Sequence, residues 1–245
     1  MQNLKLTISY DGTNYYGWQK QPSYPTVQKT IEDVFRKILP GSSKLILNGS
    51  GRTDRGVHAL GQVANIKISS KLFLPGLMES LNSLLPRDIR IHSIQKVDDR
   101  FNARFNAHKR EYRYILQYKG YQYPFYDRYS YCYPYSVDFK KLKKCIGFFS
   151  GRKDFSSFSN SPKEKDPVRH IRKILFYREK DFIIFRIIAD SFLQGMVRNI
   201  LGTIFDINKN DQNPRIIKDI FDLKKNKYCG NKIPAKGLYL YKVYY

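Results

Sequence analysis

Two hydrophobic periods alternate along this chain, and their order limits the fold more than any other feature. Leu4, Leu6, Ile8 and Tyr10 alternate with Lys5, Thr7 and Ser9, the period of a strand with one buried face. Val27, Ile31, Val34, Phe35, Ile38 and Leu39 then fall on one helical stripe, with Thr26 as N-cap and Pro40-Gly41 as the stop. Lys44 to Leu47 reads as a short strand, Gln62 to Ile68 as another, Leu74 to Leu85 as a helix closed by Pro86, and Ile89 to Ser93 as a strand. The order is β-α-β-β-α-β, the split βαβ arrangement.

The second half gives a similar order. Residues 112–118 alternate as a strand, and Phe139, Leu142, Ile146 and Phe149 mark a helix with Asp138 at its start. Lys173 to Tyr177 and Phe182 to Ala189 flank Glu179-Lys180-Asp181 as a hairpin. An apolar helix over 193–207, a shorter one after Pro214 and a strand from Leu238 to Tyr244 complete it. Tyr129, Tyr131, Tyr133 and Tyr135 also alternate as one face of a strand. The expected fold class is α+β: two similar ferredoxin-like halves, residues 1–105 and 106–245. With no low-complexity linker, the halves are expected to share one continuous mixed, largely antiparallel sheet.

Charge narrows the partner. Lys and Arg number 44 against 21 Asp and Glu, a net charge of +23 over 245 residues. That surplus points to a polyanion, with nucleic acid first. Cys132, Cys145 and Cys229 form no C-x-x-C pair, and His58, His92, His108 and His170 show no metal-ligand spacing, so neither a disulfide framework nor a metal is expected. No signal peptide and no apolar run of membrane-spanning length is read, so the expected location is cytoplasmic, without a membrane.

The run from Gly49 to Gly61 carries the chemistry. It holds four glycines, Gly49, Gly51, Gly56 and Gly61, which mark backbone needing positive φ or close approach. Gly51 and Gly56 fit the G-x-x-x-x-G spacing of a phosphate loop, but Val57 stands where its Lys would be. Asp54 lies between Arg52 and Arg55, whose charges favour an ionised carboxylate. An anion kept available inside a polyanion-binding surface suits a nucleophile. The plainer alternative is an Asp bonded to its own turn beside arginines that touch phosphate.

Gly51-Arg52-Thr53-Asp54-Arg55-Gly56-Val57-His58-Ala59, with Gly61-Gln62, resembles the signature of the tRNA pseudouridine synthase A family. Tyr10-Asp11-Gly12 through Tyr15-Tyr16-Gly17-Trp18-Gln19 is similar to the family's opening motif. Leu81-Asn82 with Leu85-Pro86 and Asp88-Ile89, then Ala103-Arg104-Phe105 and Arg110-Glu111-Tyr112-Arg113-Tyr114, extend the likeness. Asp154-Phe155 with Phe158, Met196-Val197-Arg198-Asn199-Ile200, and Ala235 with Gly237-Leu238-Tyr239-Leu240 carry it to the end of the chain. Arg55 departs from the usual Ala, while Asn102 and Lys153 replace a common His.

The resemblance implies the pseudouridine synthase fold, with helices on one face of the sheet and the active-site cleft on the other. It implies an isomerase that turns uridine into pseudouridine at positions 38, 39 and 40 of the tRNA anticodon stem-loop. It implies a homodimer and no cofactor. Asp54 is then the nucleophile, and Arg198 pairs with its carboxylate. Tyr112 sits against the target base and assists proton removal at C5. Arg52 fills the space left by the flipped base, a step that chemistry on a stacked base requires. Leu240 walls the pocket and Arg55 adds charge for RNA. Arg52, Tyr112, Leu240, Arg55 and His58 form the expected substrate-binding set. A non-catalytic RNA-binding or chaperone protein is the alternative, and it needs none of Asp54, Tyr112 and Arg198.

Overall fold

The computed structural model describes residues 1–40, 45–69, 73–161 and 166–245. These form two compact units, one of Met1–His108 with Tyr239–Tyr245 and one of Lys109–Leu238. The fold class is α+β, as the sequence predicts.

The first unit runs β1 (Gln2–Tyr10), α1 (Val27–Ile38), β2 (Asn48–Gly49), β3 (His58–Ile68), α2 (Leu74–Leu84) and β4 (Ile89–Val97). β1 lies between β4 and β3, antiparallel to both, and β2 adds to β3. Thr26 caps α1, its hydroxyl accepting the Lys29 amide. Leu4, Leu6 and Ile8 on β1, Val27, Ile31 and Phe35 on α1, and Leu81 on α2 are fully buried.

The second unit runs β5 (Lys109–Gln117), β6 (Tyr131–Cys132), α3 (Phe139–Gly147), β7 (Gly151–Asp154), β8 (Val168–Glu179), β9 (Phe182–Ala189), α4 (Met196–Lys209) and α5 (Ile216–Leu223). β5, β9, β8 and β7 form an antiparallel series, and β6 adds to β5 in parallel. Asp138 caps α3 by accepting the amides of Lys140 (2.8 Å) and Lys141 (3.0 Å). Tyr114, Phe149, Phe155, Phe158 and Phe185 fill the core beneath the apolar stripe of α4. The closing strand β10 (Leu238–Tyr244) pairs in parallel with β3, Tyr239 opposite His58 and Leu240 opposite Ala59.

Two expected strands differ. Lys44 lies outside the described residues, and Leu45 to Leu47 form no strand although Leu45 and Leu47 are buried and Ile46 is exposed. The Leu47 amide instead donates to Glu32 Oε1 on α1 (3.1 Å), and its carbonyl accepts from Gln28 Nε2 (3.1 Å). Helix side chains thus meet the backbone needs that a neighbouring strand would meet. The tyrosine run shrinks to the two residues of β6. A turn held by Ser130 N–H on Tyr126 O precedes it, and Pro134, with no amide to donate, follows. Several strands start earlier or end later than periodicity suggests: β3 opens at His58, β4 runs on to Val97, β5 opens at Lys109 and β8 at Val168.

Candidate active site

The loop between β2 and β3 is held along its whole length. Ser50 N–H donates to Val63 O (2.7 Å), and Ser50 Oγ bonds Gln62 Oε1 (2.7 Å). Gln62 Nε2 donates in turn to Gly51 O (3.0 Å). Thr53 O accepts the Trp18 amide (3.1 Å), and Thr53 Oγ1 bonds the buried Tyr10 hydroxyl (2.8 Å). Burial pushes the Tyr10 phenol far above its ordinary range, so it stays protonated and available to that bond. Val57 N–H closes a turn on Asp54 O (3.1 Å), with Gly56 at φ +76° in its third position.

The opening motif is the clamp for this loop. A Cβ on Gly12 would lie 2.0 Å from Val57 O, and one on Gly17 would lie 2.4 Å from Thr53 O. Gly17 also sits at φ +88°, a conformation glycine adopts without strain. The Trp18 indole packs against Gly49, where a Cβ would come within 2.4 Å of Nε1. Gly56 N–H reaches Tyr15 O (3.3 Å). Tyr10, Gly12, Tyr15, Gly17 and Trp18 are therefore scaffold, a role that sequence reading does not assign them. Two of their glycines are the trace of it, since each marks a backbone crossing.

Within this frame Asp54 is half-buried, between Arg52 and Arg55, whose side chains are exposed. His58 is buried at the start of β3, stacked on Tyr239 at 4.9 Å between ring centroids. Its Nδ1 lies 3.1 Å from both Gly12 N and Asp11 Oδ1. A ring nitrogen holds one role at a time: unprotonated it accepts from Gly12, protonated it donates to Asp11. His58 thus spaces β1's end from the loop, its ring buried among these groups. Leu240 is buried beside Ala59 through the β3–β10 pairing.

In the second unit, Tyr112 on β5 is almost buried and meets Phe192 edge-on (5.0 Å, 84°). Arg198 lies in the first turn of α4, half-buried. Its Nε donates to Ile233 O (2.8 Å), and Ile233 N–H donates back to Arg198 O (3.3 Å). The next carbonyl, Pro234 O, accepts the Tyr114 hydroxyl (2.9 Å). One short segment thus ties α4 to β5. Gly202, one turn on, keeps α4 tight to that segment, for a Cβ there would lie 1.9 Å from Asn231 O. Tyr114 is fully buried, and burial raises its hydroxyl pKa well above the ordinary value against the lowering effect of the Arg198 charge. Tyr114 is thus part of the buried packing between β5 and the Ile233-Pro234 segment.

Among the described residues, no group of three or more His, Cys, Asp or Glu side chains is placed to hold a metal ion. No helix there is long and apolar enough to cross a membrane.

Known proteins resemble this chain throughout. Residues 6–106 and 147–245 match the family described as tRNA pseudouridine synthase. A tRNA pseudouridine synthase A of Thermodesulfovibrio yellowstonii is 40% identical over 256 residues, covering 100% of both chains. Its counterpart in Caldicellulosiruptor saccharolyticus is 42% identical over 246 residues, again with 100% of both covered. That of Acetivibrio thermocellus is 39% identical over the full length of both.

Proposed function

Since the chain belongs to the tRNA pseudouridine synthase family, isomerases that act on tRNA, we propose that it converts uridine to pseudouridine at positions 38, 39 and 40 of the anticodon stem-loop. The observation that carries this reading is Asp54: a carboxylate on a doubly clamped loop, flanked by two exposed arginines, in the motif that the family shares. The reaction breaks the bond from N1 to C1′, turns the uracil, joins C5 to C1′, and moves the C5 proton away while N1 gains one. Atoms balance without an outside donor.

Asp54 acts as nucleophile on a uridine flipped out of the stack, since the carboxylate cannot reach a paired base. Arg52 occupies the space that the base leaves. Tyr112 lies against the base and assists removal of the C5 proton. Arg198, which the family resemblance pairs with the catalytic carboxylate, keeps that group aimed. Arg55, His58 and Leu240 complete the binding set, His58 and Leu240 through the wall they build. By the same resemblance the chain works as a homodimer, and we place it in the cytoplasm.

Tritium gives the test. A tRNA transcript made with uridine tritiated at C5 releases one tritium to water for each pseudouridine formed. We expect release from the native anticodon arm, and none once the uridines at 38 to 40 are changed to cytidine. Undiminished release from the changed transcript would contradict the assigned positions.

A further inference from the structure

Beside the clamp stands a column whose two tyrosines the reading above does not use. The Arg55 guanidinium lies 4.1 Å from the centroid of the Tyr16 ring. Tyr16 and Tyr24 stack at 4.2 Å with their planes 18° apart. Two flat groups this close to one centroid would overlap on a single face, so Tyr16 is the middle layer. Arg55 and Tyr24 are both exposed, which leaves the outer faces at the two ends of the column toward solvent.

The column is fixed from below. Tyr16 N–H donates to Pro25 O (2.9 Å), which sets Tyr16 beside Tyr24. Gln21 Nε2 donates to Tyr16 O (2.9 Å). The Gly17 crossing presses the same segment onto the Thr53, Asp54 and Arg55 backbone. An exposed arginine ordinarily keeps its rotamer freedom, and holding it flat costs entropy. Here the guanidinium is already held over the Tyr16 ring, directly after Asp54 in the chain.

We infer that the column is a stacking subsite for the nucleobase next to the target uridine. The inference rests on the function proposed above. That base lies on the outer face of the Arg55 guanidinium, with Tyr16 and Tyr24 backing the plane. Guanidinium planes and tyrosines both stack on unpaired bases, and the guanidinium edge still presents N–H groups to a phosphate. Stacking accepts any base, so the subsite fixes the neighbouring nucleotide without reading its identity. The neighbour then holds the strand while the uridine is extruded toward Asp54.

The test uses the full-length protein and tRNA transcripts carrying 2-aminopurine at each nucleotide flanking the target uridine in turn. Stacking quenches this base. We expect quenching on binding at one flanking position. Arg55→Lys keeps the charge and loses the plane: it should abolish the quench and raise KM about tenfold, with the smaller part of the loss in kcat. Its salt dependence of binding should stay as in the parent, because the phosphate contact survives. Tyr24→Ala, at an exposed position that leaves the core intact, should weaken quench and KM in the same direction. Quench and KM untouched in Arg55→Lys would overturn the subsite. So would a change in subunit association with no change in KM, which would make the column a protein contact. Pseudouridine formed by the parent without quenching at any flanking base would remove the subsite and leave the proposed function standing. No pseudouridine from the parent would remove both.

Discussion

Asp54→Asn is expected to bind tRNA as the parent protein does and to leave it unmodified. The substitution keeps the shape of the side chain and removes the negative charge on which the proposed nucleophile depends. We expect kcat to fall by ~10⁴-fold or more, the scale seen when a nucleophile is removed. Affinity should stay within about threefold, because phosphate contacts dominate binding. The fold has a reason to tolerate the change: the loop is held through Ser50, Gly51, Thr53, Gly56 and Val57, by backbone groups and by Tyr10 and Gln62. Asp54→Glu should also be poor, since moving the carboxylate by a bond length disturbs alignment worth ~10²-fold per ångström. Single-turnover rates and filter binding on the same transcript separate the two quantities. Binding lost in step with rate would make Asp54 a structural residue.

Glu111→Ala should be the most destabilising single change on β5. Its carboxylate is buried, with 1% of the side chain exposed. It accepts Arg113 Nε (3.0 Å) on the same strand and, in a forked pair, Arg186 Nε and Nη2 (both 2.9 Å) on β9. Arg113 and Arg186 stand opposite each other in the β5–β9 register, so removing Glu111 leaves two like charges facing across the strands. Breaking a buried pair by deleting one partner costs ~3–5 kcal/mol. The arginines are 27% and 32% exposed, so water takes up part of that cost and ~3 kcal/mol is the expected loss. For a chain of this size that lowers Tm by roughly 6–12 °C. Tyr112, the next residue, points to the other face of β5. Activity at low temperature should therefore persist. A melting temperature within a degree or two of the parent would refute the role given to Glu111.

Strands and helices were legible where burial follows apolarity. Leu4, Leu6 and Ile8 alternate into a core, and Thr26 and Asp138 cap their helices as their side chains allow. Reading failed where polar groups are buried with partners. The first turns of β3 bury His58 and Gln62 while Leu60 is exposed, so the hydrophobic signal there is inverted. Leu45 and Leu47 alternate like a strand, but Glu32 and Gln28 meet the backbone needs of Leu47. Neither bond has a period to detect.

The site divides in the same way. Asp54 and its arginines stand out because the loop is rich in glycine and short in sequence. The clamp by Gly12, Gly17 and Trp18 and the stack of Arg55 on Tyr16 join positions about forty residues apart. Such contacts belong to tertiary structure and leave only a glycine or an aromatic in the sequence.

The central claim is that this chain makes pseudouridine in tRNA through Asp54. Incubation with an unmodified tRNA transcript, carbodiimide treatment, alkaline reversal and primer extension test it most directly. The account predicts stops in the anticodon arm with the parent protein and none with Asp54→Asn. A transcript with no stop after treatment with the parent, or the same stops with Asp54→Asn, would contradict it.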